Sequence, residues 1–414
     1  MKSRHLSRGA RSAAILLFLS SAGCRQIFGL EEPTESDACL SASKPVVSLT
    51  DIGPPGKTLG CENDYVIEKD VSVLDGAALT IEPGTTVRAK ADARLIVEPG
   101  GKLLADGTAE RPIVFTRDGD SVWGGIELRG KASGDGAVCT GDYPFTFAAN
   151  PDASDNSGVL RYVRIEHAGS QNTACTGALI LLGVGDGTVL DQLDLPFSDS
   201  DGVSIAGGTP SLSHVVVTDS ADDGIDLENA AKAKIQFYVY RGKAMVGCPN
   251  QDHCPNAIDA DGATIEAYNA TLCGHQTKDT EKNVAILSIA GSSITLERSI
   301  VLDHSAALDV ETDTKEATPV LLETSVFADG LAVGLAEGNP GDDNGFDEGQ
   351  FAAPAHQNSS LSTAPIQCFG EVNLTPTAEF GNVGSPPLGS FLDAKYTGAL
   401  HADDPWMAWI VVPP

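Results

Sequence analysis

Positive charge is scarce in this chain: 27 lysines and arginines face 57 aspartates and glutamates, and the formal net charge at pH 7 is -30. Such a surface repels nucleic acid and anionic lipid, so neither is expected as a direct electrostatic partner. Attraction to a polyanion is likewise excluded unless a cation bridges the two. Catalytic fingerprints are missing as well. No Ser-His-Asp motif, phosphate loop or nucleotide fingerprint stands in the sequence, which leaves no ready-made nucleophile or nucleotide site. Asn-Gly does not occur between Val71 and Leu128. Its absence argues against an antiparallel sandwich, whose strands need such hairpin turns.

What the chain does have is an internal echo. Leu79-Thr80-Ile81-Glu82-Pro83-Gly84 returns as Leu95-Ile96-Val97-Glu98-Pro99-Gly100. Apolar anchors recur from Val71 through Phe115 to Leu128 in short alternating segments about eight residues apart. Three such segments make one coil, so the echo is two sides of a triangular turn and the fold class is all-β, a right-handed parallel β-helix. Gly84, Gly100, Gly107, Gly124 and Gly130 are placed at its corners, where a tight bend or positive φ suits glycine. The expected organisation is an export signal over 1–23, a tether over 24–45, a β-helix over 46–335 with insertions near 131–156 and 244–258, and a capping segment over 336–414. The two tryptophans of that last segment, Trp406 and Trp409, are expected to supply most of its apolar burial.

The N-terminus supplies an address. Lys2, Arg4, Arg8 and Arg11 precede the apolar run Ala13–Leu19 and the small residues before Cys24, the pattern of an export signal. Ser21-Ala22-Gly23-Cys24 resembles the lipobox of bacterial lipoproteins, with Ser21 where leucine is usual. The resemblance implies lipidation at Cys24 and, with Arg25 following, passage to the outer membrane. Removing 1–23 takes away four positive charges and no negative ones, leaving a net charge of about -34. Eight further cysteines in an oxidising compartment read as four disulfides. Sequence proximity suggests Cys39 with Cys61, Cys139 with Cys175, Cys248 with Cys254, and Cys273 with Cys368, though connectivity does not follow from sequence. The Cys248 to Cys254 spacing is not that of a zinc knuckle.

Whole phrases carry a wider likeness. WGGIELRGKA at 123–132, SGVLRYVRIEHAG at 157–169, SADDGIDLENAAKAKIQFYVYRG at 220–242 and YTGALHADDPWMAWIVV at 396–412 resemble a family of predicted bacterial cell-surface lipoproteins with right-handed β-helix repeats. That resemblance implies the fold and says little of activity.

The sharpest constellation is a stack of Asp-Gly corners: Asp199-Ser200-Asp201-Gly202, then Asp222-Asp223-Gly224 with Asp226, then Asp259-Ala260-Asp261-Gly262. Asp201 and Asp223 lie about one coil apart, which places them on adjacent rungs about 5 Å apart. Carboxylates so placed raise each other's pKa or share a cation, and calcium is the natural one outside a cell. The metal set expected is Asp199, Asp201, Asp222, Asp223, Asp226 and Asp261. The plain alternative is corner chemistry, each side chain satisfying a main-chain N–H. A third reading is hydrolysis: polygalacturonase-type glycosidases, also β-helices, set one Asp and an Asp pair on adjacent coils, as Asp201 and Asp222-Asp223 stand here. Their later Gly-His-Gly is broken at Gly274-His275-Gln276, and Arg241-Gly242-Lys243 comes too early. The expectation is therefore a binding or structural module, with a polysaccharide or another surface protein as partner and polysaccharide hydrolase or lyase as the alternative.

Overall fold

Apolar residues at one position of every coil stack into a single column. Val71, Leu95, Ile126, Leu179, Val203, Ile225, Ile258, Ile286 and Leu308 pair in register along nine parallel strands. All nine are buried, so each added coil buries another aliphatic side chain against the last. The chain is a right-handed parallel β-helix. Its computed structural model describes Cys39 and residues 43–139, 144–172, 175–243, 255–274, 284–289, 291–304, 306–311 and 320–328, with shorter stretches between 350 and 410. The segment 1–23, Cys24, Cys248 and Cys254 lie outside the described residues.

The nine strands form one face: Val71–Val73, Arg94–Val97, Gly125–Arg129, Leu179–Leu182, Val203–Ala206, Ile225–Glu228, Ile258–Asp261, Val284–Ile289 and Ala306–Glu311. The other two faces merge into one hydrogen-bonded sheet, because strands such as Gly158–Ile165, Val189–Pro196, Ser211–Thr218 and Lys232–Arg241 bend across a corner without a break. The echo falls as expected on two sides of a coil. Leu79 pairs with Leu103 on the merged sheet, and Leu95 pairs with Val71 on the nine-strand face.

The corners depart from the glycine expectation. Gly84 and Gly100 are left-handed, at φ 80° and 91°. From the fourth coil on, one corner is turned by non-glycine residues in the left-handed region: Tyr162, Gln192, His214, Phe237, Asn269, Arg298 and Thr324, with φ from 49° to 59°. The flanking registers align these into one column. Each left-handed residue costs about 1 kcal/mol or more. Stacking offsets the cost. His214 lies on Phe237 at 4.6 Å, and Gln236 beside it donates Nε2–H to Asn269 Oδ1.

The described residues of the C-terminal segment run along this column in the reverse direction. Gly398 N–H donates to Arg298 O and Tyr396 O accepts from Asn269 Nδ2. Further on, Trp406 meets His214 edge to face at 5.0 Å. Trp409 meets Tyr162 at 5.6 Å and donates its indole N–H to Gln192 Oε1 at 3.0 Å. An apolar cluster of Val216, Phe237, Val239 and Ile300 with Ala399, Leu400 and Trp406 fills the seam.

Among the described residues three of the four expected disulfides stand as paired, and the Cys248–Cys254 pairing lies outside those residues. Cys39–Cys61 fastens the chain before the first strand to the first coil, Cys139–Cys175 staples the insertion, and Cys273–Cys368 ties the C-terminal segment to the helix. The insertion adds a small antiparallel pair, Ala137–Val138 with Phe145–Thr146. It covers Ile180, Leu182 and Ala206 on the outside of the nine-strand face. Trp123 is a packing residue: it is fully buried, stacks on Phe115 at 6.5 Å and donates to Glu166 O.

Candidate functional site

The Asp-Gly repeat arises from two local needs. Glycine is required by crowding between rungs. A Cβ on Gly202 would sit 2.7 Å from Gly224 O, and one on Gly224 would sit 2.2 Å from the Tyr238 hydroxyl. Aspartate is required by main-chain donors. Asp201 Oδ1 accepts Asp223 N–H at 3.1 Å, and Asp223 Oδ1 accepts Asn256 N–H at 2.7 Å. Asp201, Asp223 and Asn256 thus form a side-chain ladder along one corner, each of the first two holding the next coil.

That ladder leaves the site strongly acidic. Asp201 and Asp223 are 5 % and 8 % exposed, and carboxylate oxygens of Asp201, Asp222 and Asp223 lie within 4.8 Å of one another. No other group of three metal-binding side chains is as compact among the described residues. Beside it on the nine-strand face, Ser204, Asp226 and Asp259 stand opposite one another in register. Glu228 and Asp261 occupy the positions two residues on.

Burial raises Asp201, Asp223, Asp226, Glu228 and Asp259. Loss of solvent, then Asp226 and Asp222, pushes Asp201 well above the usual carboxylate range. Loss of solvent, then Asp259 and Asp201, does the same to Asp223. By the same cause and their acidic neighbours, Asp226 is pushed up to about 8 and Asp259 to about 7. Glu228 is also raised, by burial and Asp261.

Other buried carboxylates of this protein are treated differently. Glu127, on the same face, is held between Arg94 at 3.0 Å and Arg129 at 2.5 Å. Asp194 pairs with Arg164 at 2.5 Å. Among the described residues, Asp201, Asp223, Asp226, Glu228, Asp259 and Asp261 form no ion pair with lysine, arginine or histidine. Uncompensated, such groups destabilise the fold when ionised.

Of the six residues expected to hold a metal, three come together: Asp201, Asp222 and Asp223. Asp226 is their half-buried neighbour on the sheet. Asp261 is exposed at the far end of its strand, and Asp199 is exposed, its described bonds made by main-chain atoms to Ala168 and Gln171. The expected metal set left out Asp259, which stood in the predicted corner stack, and no role was assigned to Glu228, Ser204 or Asn256. Asp223 and Asn256 are 33 residues apart where Asp201 and Asp223 are 22 apart. The insertion in that coil hides the pairing from a count of fixed period. Elsewhere Ser213 and Asp191 both approach His214, yet both bind the same ring atom, Nδ1, at 3.0 and 2.8 Å. A nucleophile relay needs the two on opposite nitrogens, so this is no hydrolytic triad.

A stacked-coil solenoid with an acidic corner defines the class. Residues 55–333 match the family of pectate-lyase-like β-helix domains, and the chain belongs to that family. A search of curated proteins finds no match.

Proposed function

We propose that this protein is a lipid-anchored β-helix of the bacterial outer membrane, displayed at the surface as a binding or structural module, with calcium held at the corner formed by Asp201, Asp222 and Asp223. One observation carries the reading: carboxylate oxygens of Asp201, Asp222 and Asp223 lie within 4.8 Å of one another, and the buried Asp201 and Asp223 have no arginine such as those that neutralise Glu127 and Asp194. Calcium takes six to eight oxygen ligands, and the trio supplies the charged part of such a shell. Hydrolysis fits the corner less well. An acid and a base must flank a glycosidic bond, whereas Asp201 and Asp223 are buried and already accept main-chain N–H groups. A polysaccharide or another surface protein is the partner class, and nucleic acid is not.

Thermal unfolding of the protein lacking residues 1–24 tests the metal. The midpoint is expected to rise by several degrees in millimolar calcium and to fall back with chelator. An unchanged midpoint sinks the calcium assignment. Incubation with uronic-acid polymers is expected to release no product, and release would establish the enzyme reading instead.

A further inference from the structure

The sheet beside the corner presents a second chemistry. Ser204, Asp226 and Asp259 follow one another on adjacent parallel strands, and parallel in-register strands point equivalent side chains to the same side. Glu228 and Asp261 extend the array along the strands. Ser204 is only 8 % exposed, and its hydroxyl makes no hydrogen bond among the described residues. The side chain is nearly buried while its hydroxyl still reaches the outer side of the sheet, a donor and acceptor for something that lies there.

The spacing selects what fits. Neighbouring strands are about 4.8 Å apart, and residues i and i+2 of one strand are about 7 Å apart. These four carboxylates therefore form a near-rectangular grid. No three of them meet the compactness that Asp201, Asp222 and Asp223 reach, so one ion does not satisfy the grid as it does the corner. An extended ligand with several cationic groups does. In an extended peptide every second side chain faces the same way with that same spacing of about 7 Å. Lysines or arginines at alternate positions would pair with Asp226 and Glu228, or with Asp259 and Asp261. The grid is framed by apolar side chains: Ala206 under the insertion on one side and Leu287 on the other. Such a frame lowers the local dielectric and strengthens each pair.

We propose that the outward side of strands Val203–Ala206, Ile225–Glu228 and Ile258–Asp261 docks an extended basic segment of a partner protein, with lysine or arginine at every second position. The test is a fluorescence-anisotropy titration of the full chain in mild detergent with a labelled peptide of alternating lysine and threonine. A peptide of the same composition with its lysines in one block serves as comparison. The alternating peptide is expected to bind saturably, more weakly as salt rises, and more tightly than the block peptide. The double variant Asp226→Asn/Asp259→Asn is expected to weaken binding at least about tenfold. Glu228→Gln/Asp261→Asn, at more exposed positions, should weaken it in the same direction. Asp106→Asn, a control on the merged sheet, should leave it unchanged. Equal binding of the block peptide, or an undiminished affinity in both double variants, overturns the proposal. So does saturable binding of a glucosamine polymer that the peptide cannot displace, which would assign the grid to an amino sugar. All titrations are run at about pH 9, above the values of about 8 and 7 to which Asp226 and Asp259 are raised and below the lysine range, and in chelator, so the outcome is independent of whether calcium binds the corner.

Discussion

Asp223 carries two opposed roles in one side chain. Its Oδ1 holds Asn256 N–H on the next coil, and its charge faces Asp201, Asp222 and Asp259. Substitution separates the roles. Asp223→Asn keeps an acceptor and removes the charge, so the unfolding midpoint at pH 8 without calcium should rise. Asp223→Ala leaves a buried main-chain N–H unsatisfied and should cost about 1–3 kcal/mol, read by denaturant titration. If both substitutions destabilise equally, repulsion is not the governing factor at this corner. The asparagine variant also distinguishes corner chemistry from metal binding, since it keeps the acceptor for Asn256 N–H and only metal binding predicts that calcium stabilisation disappears in it. At the other end of the chain, Cys24→Ala is expected to move the protein from the detergent phase to the aqueous phase in phase partitioning and to abolish labelling by a fatty-acid probe.

The coil is the element, and its legibility in the sequence was uneven. Alternating Val, Ile and Leu near Leu79 and Leu95 announce strands and a repeat, because inward positions must be apolar whatever the rest of the coil does. The left-handed corner column was invisible. Tyr162, Gln192, His214 and Phe237 share no residue type, and it is their stacking across coils, together with main-chain pairing on both sides, that holds φ positive. The acidic corner was half legible: the Asp201–Asp223 pairing showed because the coil between them has no insertion, and the Asp223–Asn256 pairing was missed because its coil has one. Among the described residues, the C-terminal segment closes the left-handed corner with Trp406 and Trp409, so these two side chains should weigh heavily. Trp406→Ala is expected to lower stability by about 3 kcal/mol, given its burial against His214 and Leu400. Hydrogen exchange should then quicken in the strands Val189–Pro196 and Ser211–Thr218. Unchanged exchange there would mean that the segment lies on the helix without supporting it.

For the whole molecule the carboxylates predict an unusual pH profile. In the unfolded chain an aspartate ionises near pH 4. In the folded protein Asp259 holds its proton to about 7 and Asp226 to about 8, and Asp201 and Asp223 are raised as well. Between those limits the folded state binds more protons than the unfolded one, so stability falls as pH rises. These groups withhold no stability at or below about pH 4, and the penalty of Asp259 and Asp226 is complete above about pH 8. The unfolding midpoint in chelator is therefore expected to be higher at pH 5 than at pH 8, with calcium flattening the difference. A profile that rises from pH 5 to 8 in chelator would contradict the assignment. The disulfides bear on how the molecule comes apart as well as on how firmly it holds. A solenoid ordinarily frays from its terminal coils, since these have a neighbour on one side only. Here Cys39–Cys61 closes a loop around the first coil, and Cys273–Cys368 encloses the strands Val284–Ile289, Ala306–Glu311 and Val320–Glu323. With both zippers pinned, the slow step of unfolding moves inward to coils opened by insertions, and reduction of the disulfides should change the unfolding rate more than the identity of the folded state.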